Sequence, residues 1–184
     1  VQLWGKQAMN QLQEEMAQLA DGQEPNPEPL EETLRQMPLV IGADGVMVPM
    51  RPHEGQPHGS IQWREVKVGI LVRLGHHLNR KGKEIVRLHQ RRLVAVLGDI
   101  DALSQRLMLE ALRQEWQKAK TVVWISDGGK GFWRLYHQCF SPVAIPKGSA
   151  SRHAVLDFYH AAQNLWKAAT ACARWSNQKS TSMV

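Results

Sequence analysis

Apolar positions change period twice along this chain, and the changes divide it. In residues 3–20, rich in Gln, Glu, Ala, Met and Leu, the apolar Leu12, Met16 and Leu19 recur at helical spacing, which predicts a helix that carries no chemistry. Asp21-Gly22 ends it, and Pro25-Asn26-Pro27-Glu28-Pro29 reads as a stiff linker. From Leu39 the period shortens. Leu39 to Val48 is an apolar run broken by one acid, Asp44, and Pro49 to Gly59 is a turn-rich loop. Val66, Val68, Ile70, Val72 and Leu74 then alternate with Glu65, Lys67, Gly69, Leu71 and Arg73, the period-two signature of a strand with one apolar face. A strongly basic stretch from His76 to Arg92 leads into a third short strand, Leu93 to Leu97, closed by Gly98.

Helical spacing returns at Asp99, well placed as an N-cap. Ile100, Leu103, Leu107, Ala111 and Leu112 form the inward side of a helix ending near Lys118. Thr121 to Ser126 is a fully buried strand that ends at Asp127-Gly128-Gly129, and a short helix from Gly131 to about Cys139 follows. Ala154 to Phe158 is a fifth strand, and His160 to Trp175 a last helix. Three strands joined without helices, followed by alternating helix and strand, is the element order of an α/β, ribonuclease-H-like core: a mixed five-stranded sheet flanked by helices, with an N-terminal helix. The expected divisions are 1–37 for the helix and Pro-rich linker, 38–175 for the core, and 176–184 for a disordered tail without periodicity.

A length of 184 residues allows one domain with a sizeable core. No apolar run is long enough to span a bilayer, and the start lacks the pattern of a signal peptide. Cys139 and Cys172 make no disulfide framework, which points to a reduced, cytoplasmic setting. Charge sharpens the picture. Residues 1–38 hold Lys6 and Arg35 against seven acids, a net −5, while the rest of the chain carries +11. A basic body on an acidic arm suggests a polyanionic partner, most simply nucleic acid. Arg73, Arg80, Lys81, Lys83, Arg87, Arg91 and Arg92 have the density to track a phosphate backbone, although a solvated hairpin would look similar. Trp124, Trp133 and Trp166 lie on apolar faces and read as core. His137, Cys139, His160 and Cys172 lack the paired spacing of a zinc site.

The informative residues are two acids in apolar surroundings. An aspartate inside an apolar strand is costly unless something compensates it. If the first and fourth strands are parallel neighbours, Asp44 and Asp127 emerge at the same sheet edge, where open α/β sheets bind ligands. Like charges held close repel, and a divalent cation removes that penalty; Mg²⁺ suits few carboxylates, several waters and substrate phosphate oxygens. Two such ions could run phosphodiester chemistry. Asp157, at the end of the fifth strand, reads as a cap for the last helix or a group behind the metal ligands. Lys67 and Glu65 share a strand face, and Lys67 could approach a phosphate, though an ordinary pair between them explains both.

Four blocks occur in order: Ile41-Gly42-Ala43-Asp44-Gly45-Val46-Met47-Val48-Pro49, Trp63-Arg64-Glu65-Val66-Lys67-Val68-Gly69, Trp124-Ile125-Ser126-Asp127-Gly128-Gly129 and Leu156-Asp157-Phe158-Tyr159-His160-Ala161-Ala162. Together they resemble bacterial insertion-sequence DDE transposases of the Kra type, relatives of the mutator-like group. The resemblance implies that Asp44 and Asp127 are the first two catalytic, metal-binding acids, with Mg²⁺ or Mn²⁺, two ions in the complete enzyme. It also implies DNA as partner, a homo-oligomer in the full-length form, and a nucleoid-associated location. These enzymes place a final catalytic Glu on a helix beyond a helical insertion, and no residue here fits that position. The Pro142 to Arg152 stretch also looks longer and looser than the resemblance leads one to expect. The expectation is therefore a truncated transposase. A non-catalytic DNA-binding fragment and a stand-alone ribonuclease-H-like nuclease stay open, the latter requiring Asp157 to join the cluster.

Overall fold

The computed structural model describes residues 2–51, 59–144 and 151–181. A first helix, α1 (Gln2–Ala20), and a short α2 (Glu32–Gln36) precede the strands β1 (Leu39–Met50), β2 (Gln62–Leu78) and β3 (Glu84–Val96). Then come α3 (Ile100–Arg113), β4 (Thr121–Ser126), α4 (Lys130–Leu135), β5 (Ser151–Leu156) and α5 (Phe158–Thr181). The strands form one mixed sheet in the order β3-β2-β1-β4-β5. β2 is antiparallel to both β1 and β3, whereas β4 runs parallel to β1 and to β5. The five-stranded mixed sheet flanked by helices is thus as expected from the pattern of the chain.

Alternation along each strand decides the two faces of the sheet. Leu39, Ile41 and Ala43 of β1 point to the side where Leu71, Val94, Val122 and Trp124 also point, and all are buried. α3 covers that side with Leu103, Leu107 and Ala111, one turn apart. Its start is fixed by Asp99, whose side chain accepts the Ala102 N–H at 2.8 Å, a cap worth about 1 kcal/mol. After α4 the chain widens into a single π-helical turn, Tyr136–Phe140, instead of continuing as one α-helix to Cys139. That turn swings Phe140 under Trp124, the two rings stacked at 5.6 Å. Gly69 is needed here, because a Cβ would sit 2.8 Å from a Leu107 methyl.

Four expectations change. The third strand is not short: the basic stretch belongs to the outer half of a long β2–β3 hairpin, since β3 begins at Glu84, well before Leu93. α5 runs to Thr181, past the end expected at Trp175 and into the stretch expected to be a tail; residues 182–184 lie outside the described ones, as do 52–58 of the loop after β1 and 145–150 before β5. Trp166 is no core residue: it is 76% exposed on α5, beside an equally open Leu165. Arg73 is 1% exposed and cannot reach a phosphate.

Arg73 ties the N-terminal segment to the sheet. Its guanidinium donates to Met37 O at 3.2 Å and Gln114 O at 2.7 Å. Burial lowers its pKa, and the Glu115 carboxylate opposes that shift. Glu115 itself adopts a left-handed backbone (φ 50°), which costs about 1–2 kcal/mol; ion pairs to Arg35 and to Lys118 (2.6 Å) hold it there. The acidic arm is also accounted for. Glu15 pairs with Arg113, and Glu28 takes Arg92 and Gln90, at 2.5 and 3.0 Å, beside the bulge in β3. Part of the charge asymmetry is therefore neutralised within the molecule, Arg92 included. Arg73→Ala is expected to lower unfolding stability by about 1–3 kcal/mol, since it leaves the Met37 and Gln114 carbonyls without their donor. Arg87→Ala, on the exposed hairpin, should stay within about 0.5 kcal/mol; urea denaturation of the two variants checks both.

Candidate active site

Strand register places the acids. β1 and β4 pair from Leu39–Val122 to Ala43–Ser126, so Asp44 and Asp127 are the next residues on each, at the same level. β4 and β5 pair up to Ser126–Leu156, which puts Asp157 one step beyond on the neighbouring strand. Three consecutive parallel strand ends thus each deliver an aspartate. Beyond this point β1 keeps only β2 as partner, with Asp44 opposite Val68. The parting of β1 from β4 opens a cleft of about 260 Å³, lined by Gly42, Asp44, Ile70, Ile125, Asp127 and Asp157 among others. It lies at the carboxyl end of parallel strands, where α/β sheets hold ligands.

Each carboxylate is oriented by local backbone. Asp44 Oδ1 accepts the Gly45 N–H at 2.7 Å, and Asp127 Oδ1 accepts the Gly129 N–H at 2.9 Å as the chain turns into α4. The Trp133 indole donates to Asp127 O at 2.9 Å and fixes that turn from below. A Cβ on Gly129 would come within 2.8 Å of Asp127 Oδ1, so glycine keeps the carboxylate in place. Among the described residues neither Asp44 nor Asp127 forms a salt bridge.

Asp157 does two jobs. Its backbone N–H donates to Ser126 O, and its carboxylate caps α5 by accepting Tyr159 N–H at 2.9 Å. Its other oxygen meets His160 Nδ1 at 2.8 Å. That bond is the main cause of a raised His160 pKa, with further contributions from the charges of Asp44 and Asp127. The imidazole therefore shares one neighbourhood with all three acids. The same bond, with the Tyr159 N–H, holds Asp157 below the usual carboxylate range. By residue type His160 enters only an incomplete zinc set; its signal in the sequence is the i, i+3 spacing from an acid at a strand end.

Other candidates fall elsewhere. Lys67 and Glu65 pair at 2.6 Å on the helix-covered side, with the Lys67 ammonium over the Phe132 ring at 5.4 Å. They do not line the cleft, because their parity in β2 is that of Leu71, facing α3 and α4. Cys139 contacts Ser104, Cys172 is exposed and His160 is held by Asp157, so no zinc set assembles. Among the described residues no three His, Cys, Asp or Glu side chains are grouped to cage a metal. Arg80, Lys81, Lys83 and Arg87 are exposed at and behind the hairpin tip, past the start of β1, whereas the exposed Arg91 lies two residues from Leu93 at the cleft.

Among protein-family models, curated proteins and solved structures, none matches this chain.

The linkage has a definite sign. His160, with its pKa raised, contributes stability fully present below its unfolded pKa and lost as pH rises through the folded value. Asp157, lowered, contributes above its unfolded pKa and loses it as pH falls through the folded one. The pair is thus intact between the two. Histidine ring NMR should give His160 a pKa above that of a free imidazole. Asp157→Asn should return most of that shift, and Asp44→Asn a smaller part.

Proposed function

We propose that the cleft is the metal-dependent phosphodiester site of a DNA transposase of the DDE type, on a ribonuclease-H-like core. The observation that carries it is the level pair Asp44 and Asp127, two carboxylates brought together where β1 and β4 part, neither of them in a salt bridge among the described residues. Left alone, such a pair repels itself, and a divalent cation between the two removes that penalty. The donor set fits Mg²⁺ or Mn²⁺: two hard oxygen donors beside open space suit an ion that keeps waters and takes the rest of its shell from substrate phosphates. A closed cage of three or more protein ligands is not what such an ion requires. Bound between the two acids, it would supply Lewis-acid activation of a phosphodiester.

The chain's own groups divide the remaining work. Asp44 and Asp127 hold position through the Gly45 and Gly129 N–H bonds, so little reorganisation is needed on binding. His160, kept by Asp157, adds positive charge at the rim and draws a phosphate toward the acids. The element order and the four sequence blocks support the transposase form of this reading, with DNA as partner. Among the described residues no helix is long and apolar enough to cross a membrane.

A second reading has one observation in its favour. Asp157 lines the same cleft, which favours a nuclease without strand transfer in which Asp157 works beside the metal-binding pair. Nicking of supercoiled plasmid DNA with Mg²⁺ or Mn²⁺ tests the site. Asp44→Asn and Asp127→Asn should each reduce nicking more than about 100-fold, while Asp157→Asn should cost about 10–100-fold, as expected for a group that orients others. An equal loss in all three variants favours the nuclease. Nicking that survives both Asp44→Asn and Asp127→Asn rejects the site.

A further inference from the structure

The outer half of the β2–β3 hairpin reaches beyond the rest of the sheet. β1 begins at Leu39, opposite Arg73, so residues 74–78 of β2 and 84–88 of β3 have only each other as strand neighbours. A free two-stranded ribbon is marginal unless braced. Here the turn is braced: the Asn79 side chain accepts the N–H groups of Lys81 and Lys83 at 2.9 and 3.0 Å, Asn79 and Lys83 share a backbone bond, and Gly82 takes the positive φ of 71°. At its base, Glu28 grips Arg92 and Gln90.

This stiffened arm displays like charges. Arg80, Lys81 and Lys83 are exposed at the tip and Arg87 on the strand behind, while Glu84, the arm's acid, is turned to His76 at 3.2 Å. Clustered cations without acids raise the energy of the free arm and are compensated by a bound polyanion. Distance then selects the polyanion. Asp44 is level with Val68, and Leu78 at the tip lies ten residues further along β2. At about 3.3 Å per residue this is roughly 33 Å. B-form DNA repeats every ~34 Å, so one face of a straight duplex offers a phosphate at both places. A two-stranded ribbon is also of a width that the major groove admits.

We propose that the β2–β3 arm grips duplex DNA through Arg80, Lys81, Lys83 and Arg87, about one helical turn from the phosphodiester at Asp44 and Asp127. The proposal rests on the carboxylate site for its second anchor, but the arm's grip is measurable without cleavage. Arg73 and Arg92, bonded within the fold, take no part.

The test uses a fluorescein-labelled 30-base-pair duplex and anisotropy across salt concentrations. Replacing three tip cations (Arg80→Ser, Lys81→Ser, Lys83→Ser), with Asn79 and Gly82 kept, should lower the slope of log K against log salt by about 2.7, at ~0.9 per phosphate contact. Affinity should drop at least about 10-fold near 0.1 M salt, with the circular dichroism spectrum unchanged. Lys6→Ser, which removes an exposed cation on α1 away from both the arm and the cleft, should leave slope and affinity as they are. Photo-crosslinkers attached at Lys81→Cys and at Lys130→Cys, in a Cys172→Ser background, should mark one duplex about 10 base pairs apart. An unaltered slope in the triple variant, or stronger binding to an RNA duplex or an acidic peptide, overturns the arm as a DNA grip. Marks at the same base pair overturn the spacing. Nicking that survives Asp44→Asn would instead defeat the carboxylate site and leave the arm's binding result standing.

Discussion

Leu39 beside Val122, and four further pairs in step up to Ala43 beside Ser126, join β1 to β4 in parallel. Nothing in either strand alone requires this neighbour. A parallel partner has to be reached through a crossover, and α3 supplies it, packed onto the sheet by Leu103 and Leu107. Because side chains alternate, a slip of one residue would turn Trp124 out of the core and Asp127 toward the buried side. Trp124, 1% exposed and stacked on Phe140, makes that slip costly. The same contact that secures the core therefore keeps Asp127 level with Asp44.

From this register the site follows. β5 extends the parallel set by one strand and brings Asp157 and His160 to the rim. The acids end on the side of the sheet away from α3, where Leu93 stands 74% exposed. Opposite them the β2–β3 arm carries its cations beyond the other end of the sheet. Acidic and basic functions are thus separated along β2 by the length of a strand, which keeps the tip cations from quenching the carboxylates.

The charge pattern shows how a correct sequence count can mislead about its cause. An arm of −5 on a body of +11 invites a polyanion, yet Glu15 and Glu28 spend their charge on Arg113 and Arg92 inside the fold. Arg73 belongs to the same internal account, buried between Met37 and Gln114. What the fold leaves exposed is Arg80, Lys81, Lys83, Arg87 and Arg91, five of the seven residues that composition suggested.

Local pattern by itself placed the five strands and every helix but the short α2, the Asp99 cap, and the isolation of Asp44 and Asp127 in apolar runs, because period and capping depend on near neighbours. It also marked Leu103, Leu107 and Trp124 as core. Hairpin length was not legible, since the basic residues of β3 alternate with few apolar ones and mask a strand that pairing with β2 enforces. Nor was the fate of Arg73 or Trp166, since the partners of Arg73 lie far along the chain and those of Trp166 are missing among the described residues, whereas the Lys67–Glu65 pair was legible from their shared strand face. Tertiary structure alone decided that Asp157 both caps α5 and lines the cleft with the other two acids. The reason is physical: which strand ends meet is set by register across the sheet, and register is a property of packing between segments that the order of residues does not display.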